Sequence, residues 1–425
     1  MKEKSKKKNK IKRTPAQKKA RFWYGMGIFC IIILSFMLIY GIFAVVNSNV
    51  AKSGIDYALK FNKVNYESQL KPEKDSDGYY TFVTDDDLKV MQLTDVHIGG
   101  GSFSIKNDRW ALNAVAAMIT AEKPDLVIVT GDIAFPVVYS SGSFNNYYPM
   151  EIFLNFMENL GVYWTFAFGN HDTEAYSYFN REELCETIES KNLKYCLFGR
   201  GPENIYGYGN NIIKVKNTSG IVTHALVTLD SNSYTDGDIF GALWKYDNIH
   251  GDQVDWYKSE IEKINAANKN VDPEVEPVKN SVFIHIPLRE YRNAWKEYVD
   301  NGKKDTENVK YIYGKMGESS KKNSDGEMTY GVYCGSGDDE LFEVGKTIGL
   351  KAVYCGHDHY NNFSVEYEGI RLTYGMSIDY LAYLNIWKEK GQRGCTIITI
   401  AGDGSFDVRA ENYYQDKYKA QFSKQ

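Results

Sequence analysis

The chain has 425 residues, 43% of them hydrophobic and 25% charged, with only nine prolines. That composition is ordinary for a globular protein and excludes a collagen-like or wholly disordered chain. The net charge of −5 conceals an asymmetry: residues 1–21 hold eleven Lys or Arg against one acidic residue, Glu3, and carry +10, so the remainder carries −15. A like-charged block of this kind reads as a solvated tail. The acidic body lacks the basic patch that a nucleic-acid-binding surface needs, so no nucleic-acid partner is expected.

The first predicted element is residues 22–46, a run of uncharged, mostly apolar residues with no charge until Lys52. As a helix rising about 1.5 Å per residue it exceeds the ~30 Å hydrocarbon core of a bilayer. Trp23, Tyr24 and Tyr40 fall near its ends, where aromatic belts form. The basic flank predicts a single-pass cell-membrane protein, with residues 1–21 cytoplasmic and the domain after the anchor extracellular. A cleaved signal peptide is the competing reading, but its apolar region spans only ~7–15 residues and ends at a small-x-small site. This run is longer, and no clean site follows. Of six cysteines, five lie beyond the anchor without a CxxC pair. An odd count of this kind reads as buried small apolar residues rather than as disulfides or a zinc site.

Residues 47–87 are polar and mixed and read as a linker or stalk. From residue 88 to about 415 strands and helices alternate, which predicts an α/β domain. Strands are expected at 88–93, 126–129, 163–168, 282–284, 352–354, 363–367, 370–374 and 396–400, with helices at 107–122 and 150–160. Residues 300–340, rich in Gly, Ser, Lys and Asp, read as an insertion loop at the rim of a site. The aromatic stretch 136–149 reads mainly as packing.

Five predicted strands end in residues of metal-ligand type: Asp95-x-His97, Gly131-Asp132, Gly169-Asn170-His171-Asp172, His285, and Gly356-His357-Asp358-His359. Ligands bind at the carboxyl ends of strands in open α/β sheets, so these ends are expected to converge. Five of the seven histidines fall in these motifs; His224 and His250 do not, and read as structural. Asp95-x-His97 or Gly131-Asp132 alone is no more than a turn. Their ordered recurrence after successive strands is what points to a site. The donor set suits Mn, Fe or Zn and exceeds the need of one ion. Two ions ~3.5–4 Å apart are the arrangement that stabilises in-line phosphoryl displacement.

The ordered set resembles the calcineurin-like metallophosphoesterases. It is most similar to their purple-acid-phosphatase-related branch of plants and fungi, on residues 285–291 and on 356–359 with the segment ending in Leu372-Thr373-Tyr374-Gly375. The resemblance covers roughly residues 88–410. It implies a four-layer αββα sandwich and a bimetal centre. Asp95, His97 and His359 would hold one metal, Asn170, His285 and His357 the other, and Asp132 would bridge them. It also implies that His171 faces the substrate phosphate and that Asp172 orients it. The branch often has Asp, Asn or Tyr three positions after the bridging Asp; here Phe135 stands there, so a colourless enzyme is expected. The implied activity is hydrolysis of phosphate esters by a metal-bridged hydroxide, phosphomonoesters first. A phosphodiesterase or nuclease with the same site, and a non-catalytic metal-binding surface protein, are the alternatives. The sequence carries no signal for oligomeric state.

Overall fold

The computed structural model describes residues 13–422 except 239, 240, 242, 244, 324, 325, 338, 384 and 389–391; most of the basic tail, residues 1–12, lies outside the described residues. The chain divides into two units, Met1–Asn49 and Val50–Gln425.

In the first unit, helix α1 (Pro15–Ala58) starts at a capped end. The Thr14 N–H donates to Gln17 Oε1 at 3.0 Å and the Gln17 N–H to Thr14 Oγ1 at 3.3 Å, a reciprocal cap that satisfies orphan helix donors. Pro15 suits a first helical position, where no N–H is needed. The helix extends the predicted 22–46 span at both ends. Its apolar side chains, Phe29, Leu34 and Phe36 among them, are exposed. Among the described residues it is the one helix long and apolar enough to cross a membrane, a test that a signal sequence also passes.

In the second unit, the stretch expected to be a linker is built into the domain. Phe61 and Val64 are buried, the Phe61 ring meets Phe156 edge-on at 5.1 Å, and Phe82 is fully enclosed. The polar composition of 47–87 conceals these widely spaced apolar residues. Burying each large side chain is worth about 1.5–3 kcal/mol, enough to hold the segment down.

The first strands are β1 (Glu73–Lys74), β2 (Tyr80–Val83) and β3 (Leu88–Leu93), followed by α2 (Ile105–Glu122), β4 (Leu126–Thr130), α3 (Val138–Ser141), α4 (Tyr147–Leu160), β5 (Tyr163–Ala167) and α5 (Arg181–Ser190). The middle of the chain supplies β6 (Asn211–Lys216), β7 (Val222–Thr228), α6 (Gly251–Val271), β8 (Lys279–Phe283), α7 (Arg289–Asp300) and β9 (Val309–Tyr313). The last elements are α8 (Leu341–Thr347), β10 (Leu350–Cys355), β11 (Ser364–Tyr367), β12 (Ile370–Tyr374), β13 (Gly394–Ile400) and β14 (Phe406–Asn412). The strands predicted at 88–93 and 370–374 occur with those bounds. Among its described residues, the 300–340 insertion is irregular apart from β9 and an isolated bridge at Lys322 and Met328.

Two sheets result. One has the order β14-β13-β3-β4-β5, the other β1-β2-β6-β7-β8-β10-β12-β11-β9. Alternation along the strands of the larger sheet assigns its two faces. Phe283 and Tyr354 join the core that contains the smaller sheet with α2 and α4. Their neighbours Val282, Ile284 and Val353 join a second core with Tyr257 of α6, Tyr291 of α7 and Phe342 of α8. Helix, sheet, sheet, helix is the expected four-layer αββα architecture. Gln92, fully buried in β3, ties the sheets together by donating to Thr130 Oγ1 and to the Cys355 carbonyl, both at 3.0 Å.

His224 is structural, as expected. It is fully buried, with its ring nitrogens 2.9 Å from the Gly404 carbonyl and 2.9 Å from Ser281 Oγ. Burial pushes its pKa down to about 4, against a raising contact from Gly404. An unfolded chain would protonate this ring near pH 6.5, so the unfolded state binds the extra proton in the window between 6.5 and 4. Stability is therefore lost as pH falls through that window, by roughly 3 kcal/mol from this residue. Urea unfolding of wild type and His224→Gln at pH 7 and pH 4 should show a shallower pH dependence in the variant; equal slopes would contradict it.

Candidate metal centre

Three adjacent parallel strands from each sheet deliver the polar residues. β3, β4 and β5 are neighbours in one sheet, and β8, β10 and β12 in the other. Asp95 and His97 follow β3, Asp132 follows β4, and Asn170 and His171 follow β5. His285 follows β8, and His357 and His359 follow β10. The turns there are tight. Asp95, His97, Asp132 and His357 all adopt positive φ, from 51° to 75°, a conformation that costs energy for non-glycine residues and collects at functional sites. Two glycines permit the close approach: a Cβ at Gly169 would collide with the Asp132 carboxylate, and one at Gly356 with the Thr94 hydroxyl.

All seven predicted ligand residues come together, and all but the partly buried His357 are almost fully buried. Asp95, His97, Asp132 and His359 each offer one ligand atom, and these atoms lie within 4.8 Å of one another. Asp132 Oδ2 is 3.2 Å from His97 Nε2 and also 3.2 Å from His285 Nε2. On the far side of Asp132, Asn170 Oδ1 lies 3.1 Å from His285 Nε2 and 3.0 Å from His357 Nδ1. The two groups predicted from the resemblance therefore flank one carboxylate oxygen.

The hydrogen bonds around the cluster show why it fits cations. His285 Nδ1 faces the Thr130 carbonyl at 2.8 Å, so its proton is assigned to Nδ1 and its Nε2 lone pair points inward. His359 Nδ1 lies 2.9 Å from Asp379 Oδ2, which assigns its tautomer in the same way. Asn170 Nδ2 donates to the Tyr234 hydroxyl at 3.1 Å, which turns Oδ1 to the centre. Acceptors thus meet acceptors, an arrangement that positive charge alone reconciles. The ionisation of the cluster says the same. Burial lowers the pKa of His97, but its contacts with Asp132 and Asp379 override this and push it up to about 10. His285 is pushed up to about 9 by Asp132 against the same burial. Protons here supply charge that metal ions would replace.

Two residues of this network escaped the sequence reading. Asp379 lies beyond β12; its Oδ1 is 3.4 Å from His97 Nδ1 and its Oδ2 2.9 Å from His359 Nδ1. Backbone N–H groups of Leu381, Ala382 and Tyr383 donate to it at 2.7–2.9 Å. It hydrogen-bonds the His359 ring and stands at ion-pair distance from the His97 ring, two imidazoles of one proposed metal position. Asp379→Asn should weaken metal affinity roughly 10–100-fold, the usual cost of losing such a support. Competition against a calibrated chelator measures this, and unchanged affinity would contradict it. The strand-end rule that found the other residues applies here too, but the recognised segment stops at Gly375.

The second is Glu174, which corrects an expectation. Asp172 does not orient the His171 ring. Its carboxylate instead accepts from the Asp132, Ala134 and Gly169 N–H groups at 2.8–3.1 Å. Burial, with Asp132 nearby, raises its pKa to about 6. It locks the two turns that carry Asp132 and Asn170. The His171 ring is held by Glu174, with Oε1 2.5 Å from Nδ1. Burial lowers the His171 pKa, but Asp132 and then Glu174 raise it above the ordinary imidazole value. The signal lay in the sequence as an acidic residue three positions after His171 in the same turn. Phe135 stacks on His97 at 4.6 Å and meets His171 edge-on at 4.8 Å, so it packs the site where a polar residue was the expectation of the branch.

The centre opens into a cleft of about 350 Å³ lined by Asp132, His171, His357 and His359 with aromatic residues. Tyr234 also borders a larger cleft of about 890 Å³. Glu318, Lys321 and Tyr333 bring the 300–340 insertion to the rim. Of the aromatic stretch 136–149, Tyr139 lines the cleft, whereas Phe144 and Tyr147 pack on Tyr176 and Phe179.

An αββα sandwich with Asp, Asn and His gathered at its strand ends defines a metallophosphoesterase. The profile of the family described as calcineurin-like phosphoesterase matches residues 88–361, and the chain belongs to that family. The chain is 25% identical over 324 residues to "Probable inactive purple acid phosphatase 14" of Arabidopsis thaliana, covering 71% of this chain and 73% of that one. It is 26% identical over 296 residues to "Phosphatase DCR2" of Saccharomyces cerevisiae, covering 65% of this chain and 44% of that one. A crystal structure of a dimetal phosphatase from Danio rerio overlaps 77% of this chain and 100% of that one, at 9% identity and a TM-score of 0.42.

Proposed function

We propose that the chain is a membrane-anchored, metal-dependent phosphoesterase acting first on phosphomonoesters. Family membership supports a phosphoesterase hydrolase, and the buried Asp/His cluster fits a two-metal site. One observation carries the reading: a single Asp132 oxygen stands 3.2 Å from imidazoles of both ligand groups. Asp95, His97 and His359 would hold one ion, Asn170, His285 and His357 the other, with Asp132 shared. Bound Mn, Fe or Zn ions would supply Lewis acidity to the phosphoryl oxygens and acidify a water.

The residues of the chain do the rest. Asp379, Thr130 and Tyr234 fix the donor atoms in place. Glu174 holds His171 by Nδ1, which leaves Nε2 to carry a proton to the leaving oxygen of the ester. Phe135 packs against the His97 and His171 rings at the wall of the cleft. Helix α1 would anchor the protein, with residues 1–21 cytoplasmic and the domain outside.

A second reading has one observation in its favour. Several similar plant proteins are named "probable inactive", which suits a metal-binding protein without turnover. The intact His171–Glu174 pair favours catalysis. The purified full chain, assayed with p-nitrophenyl phosphate and bis-p-nitrophenyl phosphate before and after chelation, separates the readings. Metal-dependent turnover, faster on the monoester, is expected. Bound metal without turnover would put the binding reading first, and a faster diester rate would make the chain a phosphodiesterase.

A further inference from the structure

The cleft above the metal centre is walled by aromatic rings that begin at the imidazoles themselves. Tyr246 meets His357 edge-on at 4.4 Å, Tyr383 lies 4.4 Å from His359, and Phe135 is 4.8 Å from His171. Tyr234 stacks on Tyr246 at 5.5 Å. A phosphoryl group seated among the histidines therefore places its alcohol portion directly against rings. The Tyr234 hydroxyl accepts from Asn170 Nδ2 at 3.1 Å and the Tyr333 hydroxyl donates to the Ser319 carbonyl at 2.7 Å, so both hydroxyls are already engaged with the protein on one side.

Two of the lining tyrosines are left open to solvent. Tyr139 is 81% exposed and Tyr383 is 43% exposed, yet both line the cleft. Exposed rings beside a reaction centre are the feature that stacking recognition uses. The charges narrow the choice further. Among the described residues, Lys321 is the one lysine or arginine lining the cleft, and Glu318 lines it too. A second phosphate on the substrate would find, beyond the metals, that one cation with the Glu318 carboxyl beside it.

We propose that this cleft selects esters bearing a single phosphate on an alcohol that carries an uncharged aromatic ring system, stacked by Tyr139 and Tyr383. The proposal rests on the phosphoesterase reading and deepens it. A nucleoside and a simple aryl alcohol share this chemistry.

The test compares alcohols of matched acidity, so that leaving-group chemistry cancels. The full chain in detergent is assayed with adenosine 5′-monophosphate against ribose 5-phosphate, and with benzyl phosphate against cyclohexylmethyl phosphate. The aromatic member should win in kcat/KM by roughly tenfold or more, the usual worth of one stacked ring. Tyr139→Ala should pull that ratio toward one and Tyr139→Phe should keep it; the exposure of Tyr139 makes misfolding no issue. Preference in the adenosine pair alone identifies a nucleobase, and preference in the benzyl pair a simple aryl group. A second readout needs no turnover: saturation-transfer NMR of adenosine with the chelated chain should show stronger saturation of base than of ribose protons, weakened in Tyr139→Ala. Ratios near one in both pairs, with all esters hydrolysed, would overturn this inference and leave the phosphoesterase reading standing. No hydrolysis of any ester would overturn that reading, and the NMR comparison would then decide the stacking site by itself.

Discussion

Replacing Asp132 by Asn should lower turnover by roughly 10³-fold and take the chain from two bound ions toward one. The basis is geometric. Asp132 Oδ2 lies 3.2 Å from imidazoles of both proposed ligand groups, and its Oδ1 accepts the His171 N–H at 2.8 Å. The amide can keep the backbone contact through its oxygen. It then turns an NH₂ group toward His97 and His285, where the positive charge of the metals belongs. The variant keeps its fold, since the change is isosteric, but loses the shared anionic ligand. Metal assistance is worth several kcal/mol of transition-state stabilisation, and each 1.36 kcal/mol is tenfold in rate. Metal analysis of the purified variant beside its p-nitrophenyl phosphate rate checks both parts. Two ions retained with near-normal turnover would remove Asp132 from its shared position.

The second large effect concerns the leaving group. His171→Ala should slow hydrolysis of an alkyl phosphate by roughly 10²–10⁴-fold, the usual contribution of a positioned general acid. With p-nitrophenyl phosphate the loss should be much smaller, because that phenolate leaves without a proton. Glu174→Gln should follow the same pattern at roughly a tenth of the size or more, since it supports the ring and does not transfer the proton. A merely structural role for Glu174 would slow both substrates equally. Rates of wild type and both variants across esters of graded alcohol acidity give the answer. Parallel lines would contradict the assigned roles; divergence toward poor leaving groups is expected.

Much of the architecture was legible because β-strands and ligand motifs are local. Residues 88–93 and 126–130 are short apolar runs, and each is followed within a few residues by its proposed ligands. The rule that strand ends converge singled out the motifs, and the family resemblance chose the seven proposed ligand residues among them. What was not legible depends on long-range packing. The 47–87 segment looks polar, yet Phe61, Val64 and Phe82 enter the core. Helices α6 and α7 were not read from the sequence; they are held to the second core by side chains such as Tyr257 and Tyr291. The sequence reading paired His171 with Asp172 and did not consider Glu174. The backbone settled the matter by turning Asp172 into three N–H donors and Glu174 toward the ring.

The most direct test of the two-metal account is a titration of the chelator-stripped full chain with Mn(II), following bound metal and p-nitrophenyl phosphate turnover together. The account predicts that turnover rises with occupation of the second position and saturates at two ions per chain. Full turnover with one ion, or two tightly bound ions with none, would contradict it.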